Sequence, residues 1–386
     1  MDFKFSPTEE AFRQEIREFL RQELGPEYKG RTPHEMFRPD FSQKLGKKGW
    51  LGVGWPKEYG GGGRPYMEQL IYSEEMLYNR APAAAHILGQ NMVGPTLISV
   101  GSEEHKKKFL PKILSGDVTF CLAYTEPNAG SDLASLQTRA VEQGDYYVVN
   151  GQKTFCSFAG QAHYCWLATR TNPDAPKKHR GISIFMLDME TPGITVRNMD
   201  TMFDYAVYEV FFDDVKIPKT ELVGELNQGW YYITMALDHE RVFMAATIAS
   251  YRRIFEEIVQ YAQTNKRNGK PISENPHLRQ KLAQLAIDLE VGRVLGYRLA
   301  WLLSQGIVPY AEASISKVFT SELERRLANV AMEVMGLYGP VLEGPCAHLD
   351  GYMGWEYKFS IMQGVGGGAN EIQKIIIALA GLGLPR

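Results

Sequence analysis

Four glycines in five positions, Gly364 and Gly366 to Gly368, stand in the stretch IMQGVGGGANEIQKIII and lead straight into an apolar helical pattern. A loop of this composition fills no core. Gly368, Ala369 and Asn370 would offer backbone N–H groups at a helix start, which suits an anion or a carbonyl oxygen. No GK[ST] follows and no strand pattern precedes, so this is not a P-loop. Glycine takes no proton, and an acid or base must come from elsewhere. The stretch MALDHERVFMAA (235–246) supplies a candidate. Glu240 has Ala236, Leu237, Phe243 and Met244 at i−4, i−3, i+3 and i+4, so its helical face is expected to be dry. A carboxylate there is either half of a buried ion pair or a group whose pKa is raised toward that of a general base at neutral pH. His239 projects from another face, and a lone histidine is more often structural or exposed than a ligand. Arg241 could clamp Asp238 at i−3 or hold a ligand.

A third stretch, AYTEPNAGSDL (123–133), leaves a strand and turns through Pro127 and Gly130. Its amides and the Thr125 and Ser131 hydroxyls could hold a flat polar ring or a phosphate, although the same residues also make an ordinary β-turn.

The elements that must position these groups change character along the chain. Residues 1–118 read as helices, beginning at the capping signal Ser6-Pro7 with Glu9 three residues after Ser6. The pattern EEHKKKFLPKILSGD predicts a helix that ends at Pro111 and restarts before Gly116. Residues 119–225 are short β-branched and aromatic runs without helical spacers, which argues for an antiparallel barrel or sandwich. Over 226–386 the period is helical. Leu278, Leu282, Leu285 and Leu289 follow an Asn275-Pro276 start; Phe319, Leu323, Leu327, Val330 and Val334 make a second stripe; Ile372, Ile375, Ile376 and Leu379 make a third. Four long amphipathic helices predict a bundle.

Composition bounds the function. With 386 residues, 44% apolar, 23% charged and a net charge of −3, the chain carries no electrostatic footprint for nucleic acid or an anionic membrane. Four cysteines without a CxxC pair predict structural thiols in a reducing compartment and no metal site. The acidic, amphipathic start is not a secretion or transit signal, and no apolar run approaches the ~18 residues of a membrane span. A cytoplasmic location is expected.

Taken together these stretches resemble the acyl-CoA dehydrogenase family over nearly the whole chain. GWLGVGWPKEYGG (49–61) is similar to its N-terminal signature, and YTEPNAGSD (124–132) and NGQKTFCSF (150–158) to its two flavin motifs. EVFFDDVKIP (209–218) and NEIQKIIIALAGLGLPR (370–386) also match. The resemblance implies a helical N-terminal domain (1–118), a central antiparallel β-barrel (119–225), a C-terminal four-helix bundle (226–386) and FAD as cofactor. By position it implies that Leu122, Tyr124, Thr125, Ser131, Phe155, Ser157, Gly336, Gly368 and Glu371 contact FAD, with Phe155 in place of the usual tryptophan and Ser157 in place of the usual threonine. Ser131, Asp238 and Arg241 would contact the acyl-CoA substrate.

In many family members the catalytic glutamate directly precedes a Gly-Thr pair in the C-terminal loop, where this chain has Gly367. Isovaleryl-type enzymes carry the base on the first bundle helix, at the position of Glu240. The resemblance therefore implies that Glu240 removes the pro-α proton of an acyl thioester while the β-hydride passes to flavin N5. The Gly367 N–H and a flavin ribityl hydroxyl would hold the thioester oxygen. An electron-transfer flavoprotein is the implied electron acceptor. The chain departs from the family where FAD of a neighbouring subunit is usually bound: Asn265, Asn268, Pro276 and Leu337 stand at positions of Arg, Phe, Gln and Gly. Lys266 or Arg267 could substitute for the missing cation. Similar losses in bacterial steroid-side-chain enzymes imply either one half of an α2β2 hetero-oligomer or a homo-oligomer with altered FAD contacts. Rival readings are a flavin monooxygenase on the same fold and a catalytically silent partner subunit.

Overall fold

The computed structural model describes residues 4–28, 30, 32, 35–239 and 241–385; the side chains of Asp238, Arg241 and Val242 lie outside that description. The chain falls into two compact units, Met1–Arg31, Pro65–Ala81 and Arg241–Arg386 in one, Thr32–Arg64 and Pro82–Glu240 in the other.

The second unit joins short helices to a β-sheet. Its helices are α2 (Pro39–Lys47), α4 (Gly94–Val100), α5 (Glu103–Ser115) and α6 (Gly229–His239). α5 begins at Ser102, whose hydroxyl accepts from His105 N at 3.2 Å, and runs straight through Pro111, so the expected break there is absent. Pro111 and Lys107, the residue four back whose carbonyl loses its donor, are both exposed, so water satisfies that carbonyl. The strands are β1 (Phe120–Ala123), β2 (Arg139–Gln143), β3 (Tyr146–Ser157), β4 (Tyr164–Arg170), β5 (Ile182–Asp188), β6 (Ile194–Asn198), β7 (Val207–Pro218) and β8 (Leu222–Val223). They form one eight-stranded sheet in the order β6-β7-β3-β2-β4-β5-β8, with β1 paired to β4. Pairing is antiparallel except that β1 runs parallel to β4 and Arg139 of β2 meets Arg170 of β4 in parallel. One core joins Phe109 of α5 to Phe120, Trp166 and Met186 of the sheet and to Ile233 of α6; a second, inside the sheet, includes Cys121, Cys156, Cys165 and Phe185.

The first unit is helical. α1 (Pro7–Glu23) starts at a complete capping box in which Ser6 and Glu9 each hold the other's backbone N–H, as the sequence pattern predicts. α3 (Tyr66–Tyr78) packs against α1 and against the bundle helices, and the pairs Arg80–Glu257 at 2.7 Å and Arg13–Glu74 at 2.8 Å tie the first and middle segments in. The bundle consists of α7 (Arg241–Ala246), α8 (Ile248–Thr264), α9 (Pro276–Ser304), α10 (Tyr310–Met335), α11 (Tyr352–Met362) and α12 (Asn370–Ile376). Asn275 caps α9, its side chain accepting from His277 N and Leu278 N, with Pro276 at the first helical position. The leucine stripe of α9 and Leu323, Leu327, Val330 and Val334 of α10 are buried in one core. The third stripe is not: Ile375 is 52% exposed. Ile372, Ile376 and Leu379 of the same stripe are half-buried.

Candidate functional site

In the sheet unit, one of the expected residues, Phe155, sits on a backbone that sterics alone would not choose. Phe155 has φ +55, and the β3–β7 register slips between Lys153 and Cys156, so Phe155 is the extra residue of a bulge. Its ring is 59% exposed. An aromatic residue in the left-handed region costs free energy, and such outliers gather at functional sites. The bulge turns an aromatic face outward where a regular strand would have alternated it inward. Ser157, two residues on, is half-buried.

The turn after β1 is strapped to this bulge. Thr154 N donates to Thr125 O at 2.9 Å, and Lys153 Nζ donates to Tyr124 O at 2.9 Å and to Glu126 Oε1 at 2.8 Å. Glu126 also accepts from Gln137 N at 2.6 Å and Thr138 N at 2.9 Å. Burial pushes the Glu126 carboxyl up, but the Lys153 charge and these donors override it and hold it below the usual carboxylate range. Burial pulls the Lys153 ammonium down against the attraction of Glu126. Sequence reading passed over this pair; a Lys in a strand position that should face the core was the available signal. Leu122, Tyr124 and Thr125 are half-buried beside it, and Ser131 is exposed. The Ser131 turn meets a basic segment, Lys177 to Arg180, through Lys178 Nζ, which lies 2.7 Å from Ser135 Oγ and 3.2 Å from Asp132 Oδ2.

In the helical unit, the glycine loop closes on itself through Asn370 N donating to Gly364 O at 2.9 Å, while Val365 N and Gly366 N both donate to Met362 O. Gly367 (φ +65) and Gly368 (φ +91) are left-handed. A Cβ on Gly368 would meet Gln373 Nε2 at 2.6 Å, whereas one on Gly367 would meet nothing within 4 Å. Among the described residues neither glycine N–H has a hydrogen-bond partner, and both glycines are exposed. Glu371 is exposed in the first turn of α12. Behind the loop, Lys317 Nζ of α10 donates to Asn370 Oδ1 at 2.7 Å. Burial depresses the Lys317 ammonium to about 8, with Glu371 pulling the other way.

Gly336 ends α10 at φ 61, ψ −129, a conformation open to glycine. It lines an apolar cavity of about 330 Å³ together with Met332, Pro340, Leu342, Gly354 and Tyr357. Arg267 is committed here: its Nη2 donates to Glu333 O at 3.1 Å and Val334 O at 2.8 Å, closing the carbonyl end of α10. Leu337 is 92% exposed. Glu240 lies outside the described residues, as do the side chains of Asp238 and Arg241. The face expected to be uniformly dry around Glu240 is mixed: Ala236 is buried, Phe243 and Met244 are half-buried, and Leu237 is 40% exposed.

Family profiles for the N-terminal, middle and C-terminal domains of acyl-CoA dehydrogenase match residues 6–117, 121–215 and 227–382. The chain belongs to the acyl-CoA dehydrogenase family. Acyl-CoA dehydrogenase FadE26 of Mycobacterium tuberculosis is 36% identical over 402 residues, covering 100% of this chain and 99% of that protein. Among solved structures, the "Tcur3481-Tcur3483 steroid ACAD" superposes with a TM-score of 0.92 at 36% identity, covering 100% of both chains. The ChsE4-ChsE5 complex from Mycobacterium tuberculosis gives a TM-score of 0.91 at 36% identity, again over 100% of both. The helical N-terminal, β middle and helical C-terminal parts are the fold of that family, and the chain is an oxidoreductase of a generally FAD-dependent kind. No helix among the described residues is long and apolar enough to cross a membrane.

Proposed function

We propose that this chain is the base-bearing subunit of an FAD-dependent acyl-CoA dehydrogenase that introduces an α,β double bond into an acyl-CoA thioester. The observation that carries the reading is the glycine loop: Gly367 exposes an unpartnered N–H, and no side chain from Gly364 to Ala369 can take a proton. That loop holds an oxygen and leaves proton removal to another residue, which is Glu240. The family's cofactor fits the residues present: Phe155 offers an exposed aromatic face on a bulge, and the Thr125 and Ser157 hydroxyls offer polar contacts to a flat ring. Bound FAD supplies the acceptor for the β-hydride.

The chain's own residues do the rest. Glu240 removes the pro-α proton, and the Gly367 N–H stabilises the negative charge that grows on the thioester oxygen. Losing one such donor typically costs ~3 kcal/mol of barrier. Tyr124, Thr125, Ser157, Gly368 and Glu371 contact the cofactor, while Asp238, Arg241 and Ser131 orient the acyl-CoA. The basic segment from Lys177 to Arg180, fixed to the Ser131 turn, favours a phosphate-bearing thioester over a free acid.

With Arg267 occupied at the end of α10 and Leu337 in place of glycine, the cross-subunit FAD contacts are weak in this chain. The two heteromeric relatives favour an α2β2 assembly in which a partner subunit completes them, and a steroid-derived or other bulky acyl group as substrate. Electrons pass on to an electron-transfer flavoprotein. The test is anaerobic mixing of the flavin-loaded protein, purified with its partner subunit where flavin is not held without one, and of its Glu240→Gln variant, with a panel of acyl-CoAs. Flavin bleaching by wild type, with binding but no bleaching by the variant, is expected; equal bleaching by both would overturn the assignment of the base.

A further inference from the structure

α10 carries a polar stripe that neither its apolar stripe nor the chemistry above accounts for. Ser314, Lys317, Ser321 and Glu324 recur at intervals of three, four and three, so they share one face of the helix. Ser314, Ser321 and Glu324 are buried, at 3%, 6% and 1% exposure. Buried polar groups are retained where they meet partners, and each of these meets the segment that contains the glycine loop, in reverse order. Ser314 Oγ donates to Gln373 Oε1 at 2.8 Å. Lys317 Nζ donates to Asn370 Oδ1 at 2.7 Å, and Ser321 Oγ lies 3.1 Å from the same oxygen. The Glu324 carboxyl accepts from Tyr251 Oη at 2.7 Å, and Gln363, just before the loop, lies near enough to it to favour its charged form.

The loop is thus gripped at both ends by one helix. Gln363 is held on one side and Asn370 on the other, and the six residues between them have no polar side chain with which to hold themselves. Their shape depends on two left-handed glycines and on the Asn370 N to Gly364 O bond that closes the base. A free Gly-rich segment would sample many conformations, and its N–H groups would lose a fixed direction. Of the contacts that Ser314, Lys317 and Ser321 make to this segment, that of Lys317 is the shortest, at 2.7 Å.

We propose that Lys317 is a positioning residue: by anchoring Asn370 to α10 it fixes the direction of the Gly367 N–H. The inference rests on the reading of Gly367 as the oxygen-holding donor, but its structural half stands apart from it. Hydrogen–deuterium exchange over 362–371 is compared with that over 276–304 in the purified protein, for wild type, Lys317→Met and Asn370→Asp. Asn370→Asp keeps the acceptor that Lys317 and Ser321 use. Single-turnover flavin reduction by the best acyl-CoA of the panel is measured in parallel.

Lys317→Met is expected to speed exchange in 362–371 at least tenfold with 276–304 unchanged, and to slow flavin reduction ten- to a hundredfold at an unchanged KM. A displacement of about 1 Å has effects of that size. Asn370→Asp is expected to stay near wild type in both. Unchanged exchange in 362–371 would overturn the proposal whatever happens to activity, and so would a loss that appears in KM alone. Should Lys317→Met fail to fold, Asn370→Ser removes the same contact from the other side and is read by the same criteria. If wild type holds flavin that no acyl-CoA reduces, the dehydrogenase reading fails; if it holds no flavin, the FAD site needs its partner subunit; in either case the exchange result still decides whether Lys317 fixes the loop.

Discussion

Lys153 Nζ lies 2.8 Å from Glu126 Oε1 and 2.9 Å from Tyr124 O, and the lysine side chain is fully buried. One ammonium therefore ties the turn after β1 to the bulge of β3. Replacing Lys153 by Met leaves the Glu126 carboxylate buried without its cation, at a cost of about 3–5 kcal/mol. The expected result is a large fall in melting temperature together with loss of bound flavin. The double variant Lys153→Met/Glu126→Gln should recover part of the stability, because the stranded charge is gone. A single variant as stable as wild type would show that the pair is not holding the turn.

Phe155 separates stability from cofactor binding. Its φ of +55 is costly for an aromatic residue and tolerable for asparagine, and its exposed ring gains little from burial. Phe155→Asn is expected to stabilise the flavin-free protein by roughly 1 kcal/mol. Flavin content after purification should fall. A variant that loses stability and keeps its flavin would mean that the bulge serves packing alone.

Gly367 offers a route for moving the base. Its φ of +65 penalises a side chain, yet a Cβ there meets nothing within 4 Å. Gly367→Glu is therefore expected to fold with a loss of about 1–2 kcal/mol. In a Glu240→Gln background it should restore some flavin reduction by acyl-CoA. The measurement is the anaerobic bleaching rate of the double variant against the single one, and equal rates would count against both roles.

Acid stability has an identifiable contributor in His86. Burial depresses its pKa to about 4, and its Nδ1 lies 2.8 Å from Ser42 Oγ. The folded state keeps the ring neutral where the unfolded chain, near 6.5, takes up a proton. Its contribution is complete above 6.5 and is lost as pH falls through that value toward 4. Linkage sets the loss on the order of 3 kcal/mol. Melting curves between pH 4 and 7 should fall more steeply for wild type than for His86→Gln; parallel curves would remove His86 from the account.

Local signals were the legible ones. The Ser6 capping box, the Asn275-Pro276 start and the leucine stripe of α9 follow from spacing alone, because each is decided within one or two turns. Pro111 misled, since a proline whose lost bond faces water can be carried inside a helix. The polar stripe of α10 was hidden by the apolar stripe on its other side: Ser, Lys and Ser look like solvent-facing residues until the segment that covers them is known. Phe155 shows the same limit. A bulge is a property of two strands in register, and β3 does not encode the register of β7. The glycine loop and the turn at 123–133 stood out by pattern, but Phe155 and Ser157, and the cofactor roles expected of all three stretches, came through resemblance, which supplied what spacing could not.

The division of the chain into interleaved segments has a consequence for synthesis. α3 belongs to the helical unit, and Arg80 just beyond it pairs with Glu257, 177 residues later. At about 5–20 residues per second, a ribosome needs roughly 10–35 s to make that partner after Arg80 has been added. During this interval Leu70, Ile71 and Met76, fully or nearly buried in the finished protein, have no bundle to enter. The sheet unit, complete at Glu240, can close first, so during that time the apolar faces of nascent α1 and α3 have no bundle to bury them.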